Sequence, residues 1–214
     1  MAIFNVKDYG AYGDNVHNDT QAFIAACTAL MQAHGGTLLI PAGTYLVGEQ
    51  TFAGQNNKGY AYAGKDIITI SNCTEPVLIE GSAAVLRLVD GLKFGSFDPV
   101  TGAVYNPPSL PFTNHDYGAF VGRMIVLVNN QSTVTVRNLE LDGNNPNTIL
   151  GGAWGDKGYQ QVSYGVYAYG NREVCLSAIH THHHCLDGVY IGQAAAQASA
   201  TSPHRTATLI NVRA

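Results

Sequence analysis

The chain has 214 residues, of which 46% are hydrophobic, enough to build the core of one large domain or two small ones and enough to exclude disorder. Only 12% are charged, about half the usual ~25%, and 24 are glycine, which argues against a helical bundle and for sheet and turns. The formal net charge is −4, no Lys/Arg cluster occurs, and no segment reaches the ~20 apolar residues of a membrane-spanning helix, so neither nucleic acid nor a membrane is an expected partner.

The N-terminus, Met1-Ala2-Ile3-Phe4-Asn5-Val6, enters folded-looking sequence directly, without a basic or long apolar leader. The expected location is secreted or periplasmic with the signal already removed, the cytoplasm being the alternative. Asn18-Asp19-Thr20 then precedes residues 21–34, where Phe23, Ala26, Cys27, Leu30 and Met31 recur at helical spacing before Gly35-Gly36. This is the single predicted helix. Residues 37–47 read as strand, Pro-Ala-Gly turn and strand. Short alternating runs follow at 66–71, 77–81, 124–128, 133–136, 139–142, 165–169, 173–176, 188–191 and 207–212, separated by Asn, Gly and Asp. No second amphipathic helix interrupts them, which excludes a βαβ architecture. Cys27, Cys73, Cys175 and Cys185 show no metal spacing and are expected to be free, Cys175–Cys185 being the one local pair to test.

Self-similarity organises these runs. Tyr164-Gly165-Val166-Tyr167-Ala168-Tyr169 reappears as Asp187-Gly188-Val189-Tyr190-Ile191, and the run beginning Ser132-Thr133-Val134 matches the one beginning Arg172-Glu173-Val174. Strands repeating with a period in the low twenties predict a β-solenoid, whose coils bury their apolar faces only by stacking. Two similar β-hairpins in a sandwich would produce the same pattern.

The segment Phe4-Asn5-Val6-Lys7-Asp8-Tyr9-Gly10-Ala11-Tyr12-Gly13-Asp14, with Asn18-Asp19-Thr20-Gln21-Ala22-Phe23 and Gly35-Gly36-Thr37-Leu38-Leu39-Ile40-Pro41-Ala42-Gly43-Thr44-Tyr45, resembles the N-terminal cap of the pectate-lyase superfamily. The cap is similar to that of polygalacturonases and phage tailspikes. The resemblance covers about the first 50 residues closely and implies an all-β, right-handed parallel β-helix closed by an N-terminal capping α-helix. On this reading residues 1–214 form one domain, with the cap at 1–36, coils over 37–214 and insertions near 90–123 and 144–163. The superfamily contains lyases, hydrolases, epimerases and binding proteins, so the function must be read from the site.

Alternate residues of a coil point inward and outward, so Val166, Ala168, Val189 and Ile191 are expected inside, leaving Tyr167 and Tyr190 outside and one coil apart. Such a pair could be a sugar platform or a plain surface ladder. The densest polar cluster is His180-Thr181-His182-His183-His184-Cys185-Leu186-Asp187. If it is extended, His180, His182 and His184 share one face about 6–7 Å apart. An imidazole can exchange a proton near neutral pH, with Asp187 orienting it. A metal needs partners from another coil, and a hydrogen-bonded turn is the third reading. The expected catalytic set is His182, His184 and Asp187 supported by His180, with no metal. Tyr167, Tyr190, Trp154, Lys157 and Asp142 are the expected substrate contacts, Asp142 and Asp187 being the paired carboxylates that glycoside cleavage requires.

The Asp-Asp, Gly-His-Gly and Arg-x-Lys signatures of polygalacturonase-like hydrolases are absent, as is the Trp-x-Asp-His element of one pectate-lyase group. The expected function is therefore general: lyase or hydrolase action on an acidic polysaccharide such as pectin, with a polysaccharide or oligosaccharide as partner. The alternatives are a non-catalytic carbohydrate-binding, tailspike-like or adhesin-like solenoid, or a fragment of a larger enzyme. No cofactor is expected, Ca²⁺ entering only if the reaction is a lyase's. The last run ends on a coil strand with no cap after it, which predicts truncation or self-association through an open coil edge.

Overall fold

The structure is a computed structural model and describes residues 1–53, 61–105, 115–152, 163–193 and 206–213. The chain opens with β1 (Ile3–Asn5), a 3-10 turn (Val6–Tyr9) and β2 (Asp14–Asn18), which lead into α1 (Thr20–Gln32). Helix α1 begins where Asp19 fastens the preceding loop, its carboxylate accepting from the Tyr12 and Gly13 amides at 2.7 and 3.0 Å. Ala22, Phe23, Ala26, Cys27 and Leu30 form its buried face, and the Phe23 ring meets Tyr45 edge-on at 5.4 Å.

Past the helix come β3 (Gly36–Leu39), β4 (Thr44–Val47), β5 (Gln50–Phe52), β6 (Tyr62–Gly64), β7 (Ile68–Ser71) and β8 (Val77–Leu88). They are followed by β9 (Lys93–Ser96), β10 (Gly118–Phe120), β11 (Ile125–Val128), β12 (Thr133–Asp142) and β13 (Ile149–Gly151). The described chain closes with β14 (Val166–Tyr169), β15 (Glu173–His182), β16 (Val189–Gly192) and β17 (Thr206–Arg213).

Two parallel ladders carry the coils. One is an eight-stranded sheet with the path β1-β3-β8-β12-β15-β17, joined by β2 and β4; the other is four-stranded, β16-β14-β11-β7. Parallel pairing of successive coils with a single apolar core between the sheets is the architecture of a parallel β-helix. The alternation of the sequence sets the packing: Val134, Val136, Leu139 and Leu141 of β12 lie over Val174, Leu176, Ile179 and Thr181 of β15, all of them buried. The 23-residue repeat appears as the register Val166↔Val189 and Tyr167↔Tyr190.

Two expectations are revised. The runs at 133–136 and 139–142 are the arms of one strand, bent at Asn138 with φ 60°, and β8, β15 and β17 bend alike at Ala83, Ala178 and Asn211. A short Asn/Asp-type side chain tolerates this left-handed backbone, whereas Ala has no such help. Ile191, expected inside, is exposed on β16, the outermost described strand of its sheet. Within the expected insertion 90–123, β9 and β10 join β13, β6 and β5 in a third, mixed sheet with its own small core of Ala61, Phe97 and Ala119.

At a second corner, Asn130 and Asn171 stack in adjacent coils. The Asn130 amide group donates to the Ile70 carbonyl at 3.1 Å and to Asn171 Oδ1 at 2.7 Å, while its Oδ1 accepts from the Cys73 amide at 3.0 Å. All four cysteines are free, so the Cys175–Cys185 bridge does not form. Among the described residues no helix is long and apolar enough to cross a membrane.

Candidate functional site

The four-stranded sheet presents aromatic rings outward. Parallel in-register pairing places equivalent side chains of adjacent coils above one another. Tyr167 and Tyr190 therefore stack with centroids 5.1 Å apart and planes at 5°. Tyr164, just before β14, flanks both at 5.4 and 5.5 Å. The Arg123 guanidinium lies 4.8 Å from the Tyr167 ring centre, and Asp66 grips it through Nε at 3.0 Å and through a second nitrogen at 2.5 Å. Burial works against the charge of Arg123, but the Asp66 carboxylate outweighs it and raises the guanidinium pKa further. Burial likewise pushes the Tyr164 and Tyr167 phenols up, keeping them neutral, with the charge of Asp187 adding to the shift of Tyr164.

Asp187 is set next to Tyr164 by the backbone bond from the Gly165 amide to the Asp187 carbonyl, 3.1 Å. The sequence assigned it to the histidines, but the carboxylates that meet those are Glu140 and Asp142, one coil away. The register of β12 on β15 sets Glu140 opposite His180 and Asp142 opposite His182. Glu140 Oε1 is 3.3 Å from His182 Nε2, and its other oxygen is 3.8 Å from His180 Nδ1. Asp142 Oδ1 lies 3.6 Å from His182 Nδ1 and 3.1 Å from His183 Nδ1, and Arg87 Nε stands 3.7 Å from its other oxygen. A groove of about 580 Å³ runs along the bend, with Asn138, Glu140, His180, Asn211 and Arg213 in its lining.

His184 does not share the face of His180 and His182. His183 adopts φ 55°, which breaks the alternation and turns the next side chain inward. There His184 Nε2 meets Thr181 Oγ1 at 2.7 Å, and its buried Nδ1 has no hydrogen-bond partner at proper geometry. Burial depresses its pKa to about 4, against a weaker upward pull from the Leu141 carbonyl, so it is neutral at pH 7.

The expected site residues thus fall on two surfaces: Tyr167 and Tyr190, with Asp187 nearby, accompany one sheet, while His180, His182 and Asp142 stand on the other. Trp154 and Lys157 lie outside the described residues. Glu140 and Arg123 were not singled out from the sequence. The 40-residue spacing that matches residues 132–139 to 172–179 also matches Glu140 to His180, so the signal for Glu140 was present.

A parallel β-helix with an outward tyrosine stack and a separate histidine–carboxylate face defines the class of molecule. The family model described as rhamnogalacturonase A/epimerase, pectate lyase-like, matches residues 3–64. Mannuronan C5-epimerase AlgE6 of Azotobacter vinelandii is 32% identical over 149 residues, and alginate lyase 7 of the same bacterium is 31% identical over 148. Each alignment spans 68% of this chain and 13% of the relative. The solved AlgE6 A-module of that bacterium aligns over 86% of this chain and 44% of its own length, at 25% identity and a TM-score of 0.43. The chain is thus related to the pectate-lyase superfamily of parallel β-helix proteins.

Proposed function

We propose that the chain is a polysaccharide-active β-helix that takes an acidic polysaccharide, a uronan, on its tyrosine face. The observation that carries this reading is the stacked pair Tyr167 and Tyr190 with the Arg123 guanidinium over the Tyr167 ring. Neutral aromatic faces suit the C–H faces of a pyranose ring. A guanidinium has five N–H donors, and Asp66 engages only part of them, leaving others for a uronate carboxylate. Neutralising that carboxylate makes the C5–H more acidic, which is the role Ca²⁺ would otherwise fill. Asp187, whose backbone carbonyl accepts from the Gly165 amide next to Tyr164 at 3.1 Å, supplies the carboxylate that would take the C5 proton. Loss of that proton is the shared first step of C5 epimerisation and β-elimination, the activities named for the relatives AlgE6 and alginate lyase 7. The same histidines expected from the sequence to do acid–base work stand on another sheet, an observation that favours a second reading, a non-catalytic carbohydrate-binding module.

The test incubates the protein with polymannuronate, pectate and a neutral polysaccharide. Binding is read by affinity electrophoresis, cleavage by unsaturated-uronate absorbance and reducing ends, and proton loss by C5 deuterium exchange. Binding of a uronan with exchange or elimination supports the first reading. Binding on its own supports the module. No preference for uronan over neutral polymer overturns both the substrate class and the role of Arg123.

A further inference from the structure

The histidine–carboxylate face is left unused by the tyrosine site, and its donor set is specific. On the strand register Glu140 and His180 are direct neighbours, and His182 is two residues along on the same outward face. Three donor atoms converge, one each from Glu140, His180 and His182, all within 4.8 Å of one another. A second triad, Asp142, His182 and His183, shares His182 through its other nitrogen.

We propose that Glu140, His180 and His182 form a binding site for a divalent transition ion of the Zn²⁺ type, with Asp142 as the outer group that orients His182. Zinc takes nitrogen at ~2.0–2.1 Å in a tetrahedral arrangement, so two of its ligand atoms stand about 3.3 Å apart. The Glu140 Oε1 to His182 Nε2 separation is 3.3 Å, the Glu140 Oε2 to His180 Nδ1 separation is 3.8 Å, and all three donors lie within 4.8 Å of one another, so closing the set around an ion takes side-chain rotation. The second triad does not fit as well: His182 Nδ1 and His183 Nδ1 are 2.8 Å apart, a hydrogen-bond distance rather than a coordination edge.

The proton inventory points the same way. His182 Nδ1 meets His183 Nδ1 at 2.8 Å, His183 Nδ1 meets Asp142 Oδ1 at 3.1 Å, and Asp142 Oδ1 stands 3.6 Å from His182 Nδ1, so Asp142 reaches His182 chiefly through His183. A metal-bound histidine ordinarily directs its second nitrogen's N–H at such a carboxylate, which fixes the tautomer and the ring. In the tautomer with the proton on Nδ1, the Nε2 lone pair faces the Glu140 oxygen and a metal ion would bridge them, whereas in the other tautomer Nε2–H donates to Glu140 Oε1 at 3.3 Å. A proton on Nε2 would serve that one pair; a metal ion serves His180 as well. Two imidazoles and one carboxylate select a borderline ion such as Zn²⁺ or Co²⁺ over the all-oxygen preference of Ca²⁺. His180 and Glu140 are about half exposed, so the fourth position opens to solvent, as in zinc sites that keep a water.

The test uses the full chain after dialysis against a chelator. Titration with CoCl₂ is followed by visible absorption, with ZnCl₂ and CaCl₂ as competitors. The expected result is one Co²⁺ per chain, displaced by Zn²⁺ and not by Ca²⁺, with a zinc dissociation constant on the order of 10 µM or tighter. Glu140→Gln and His182→Ala each weaken binding at least about tenfold, and Asp142→Asn weakens it by about tenfold with the stoichiometry unchanged. His17→Ala, on the exposed pair with Asp14 three strands away along the same sheet, leaves it unchanged. Circular dichroism verifies that each variant is folded, and nitrogen NMR of the wild-type rings reads the same site without mutation, with His182 Nε2 and His180 Nδ1 shifting on zinc addition. Absence of a site tighter than about 1 mM overturns the proposal, as does binding retained by the His180→Ala/His182→Ala double variant. A failure of uronan binding leaves these outcomes untouched, because the tyrosines stand on the other sheet.

Discussion

Replacing Asn130 by alanine is expected to be among the most damaging conservative-size changes in the coils. The side chain is 1% exposed and makes three hydrogen bonds that tie three successive coils together, to Cys73 and Ile70 on one side and to Asn171 on the other. Losing three such bonds at about 1 kcal/mol each, and leaving at least one buried partner unsatisfied, gives a loss of about 3–5 kcal/mol. For a chain of this length 1 kcal/mol moves the melting temperature by about 2–4 °C, so a drop on the order of 10 °C follows. The assay is urea and thermal unfolding monitored by far-ultraviolet circular dichroism, with Asn147→Ala as an exposed control expected within about 0.5 kcal/mol of the parent. Asn130→Asp adds a sign test. Its buried carboxyl would face the Ile70 carbonyl and Asn171 Oδ1, raising its pKa in the fold above the ~3.9 of the unfolded chain. The penalty is then absent below that unfolded value, grows as pH rises towards the folded pKa and is complete above it. Asn130→Ala within 1 kcal/mol of the parent, or Asn130→Asp equally unstable at pH 4 and pH 7, refutes the reasoning.

His184 predicts an acid response. With a folded pKa of about 4 against 6.5, its stabilising contribution is full above pH 6.5 and is lost as pH falls to 4, about 3 kcal/mol at most and about 2 after allowance for partial exposure. His184→Gln should therefore be less stable at pH 7 and show a flatter stability curve from pH 7 to 4; parallel curves would dismiss the assignment. Tyr190→Ala removes half of the stacked pair and should weaken uronan binding about tenfold in affinity electrophoresis without altering the circular dichroism spectrum, and unchanged binding would move the saccharide elsewhere. Gly165→Ala would set a methyl 2.2 Å from Thr181 Oγ1 and 2.5 Å from the Gly188 carbonyl, so it should lower the melting temperature by several degrees, whereas a neutral outcome would mean that this turn yields easily.

The coil spacing was legible because it is written twice in side chains that cannot be exchanged. Val166 and Ala168 need the core, Tyr167 does not fit in it, and the same alternation at Val189–Tyr190 fixes the pairing without knowledge of the fold. Helix α1 was legible to within two residues because its apolar positions and the Gly35-Gly36 stop agree. The bend at Asn138 was not, since one left-handed residue between two alternating arms reads as a gap between strands. His184 was misplaced for the related reason that His183 flips the alternation, and φ at a histidine is not written in the pattern. Glu140 and Asp187 depend on which coil lies next to which at a given corner. That follows from a spacing of 40 for Glu140 but, for Asp187, from a turn whose course only the structure supplies.

Each coil is pinned at two of its corners, by the left-handed bends at Ala83, Asn138 and Ala178 and by the Asn130–Asn171 stack. Differences in length between coils fall in the sequence between Leu88 and Ile125, between Asp142 and Val166, and between His182 and Val189. No strand of the two long sheets lies within these stretches, but backbone bonds at their ends, Met124 to Tyr164, Ile125 to Gly165 and Gly143 to His182, continue the ladders, so changes are expected to leave the register intact only between those ends. Away from the core side chains Leu92, Phe94, Val121 and Met124 and the tight turn at Gly165, exposed positions in these stretches can accordingly change at less thermodynamic cost than the buried asparagine stack, which tolerates almost no drift. Recognition and foldability are thereby inherited through separate sets of residues in the same polypeptide.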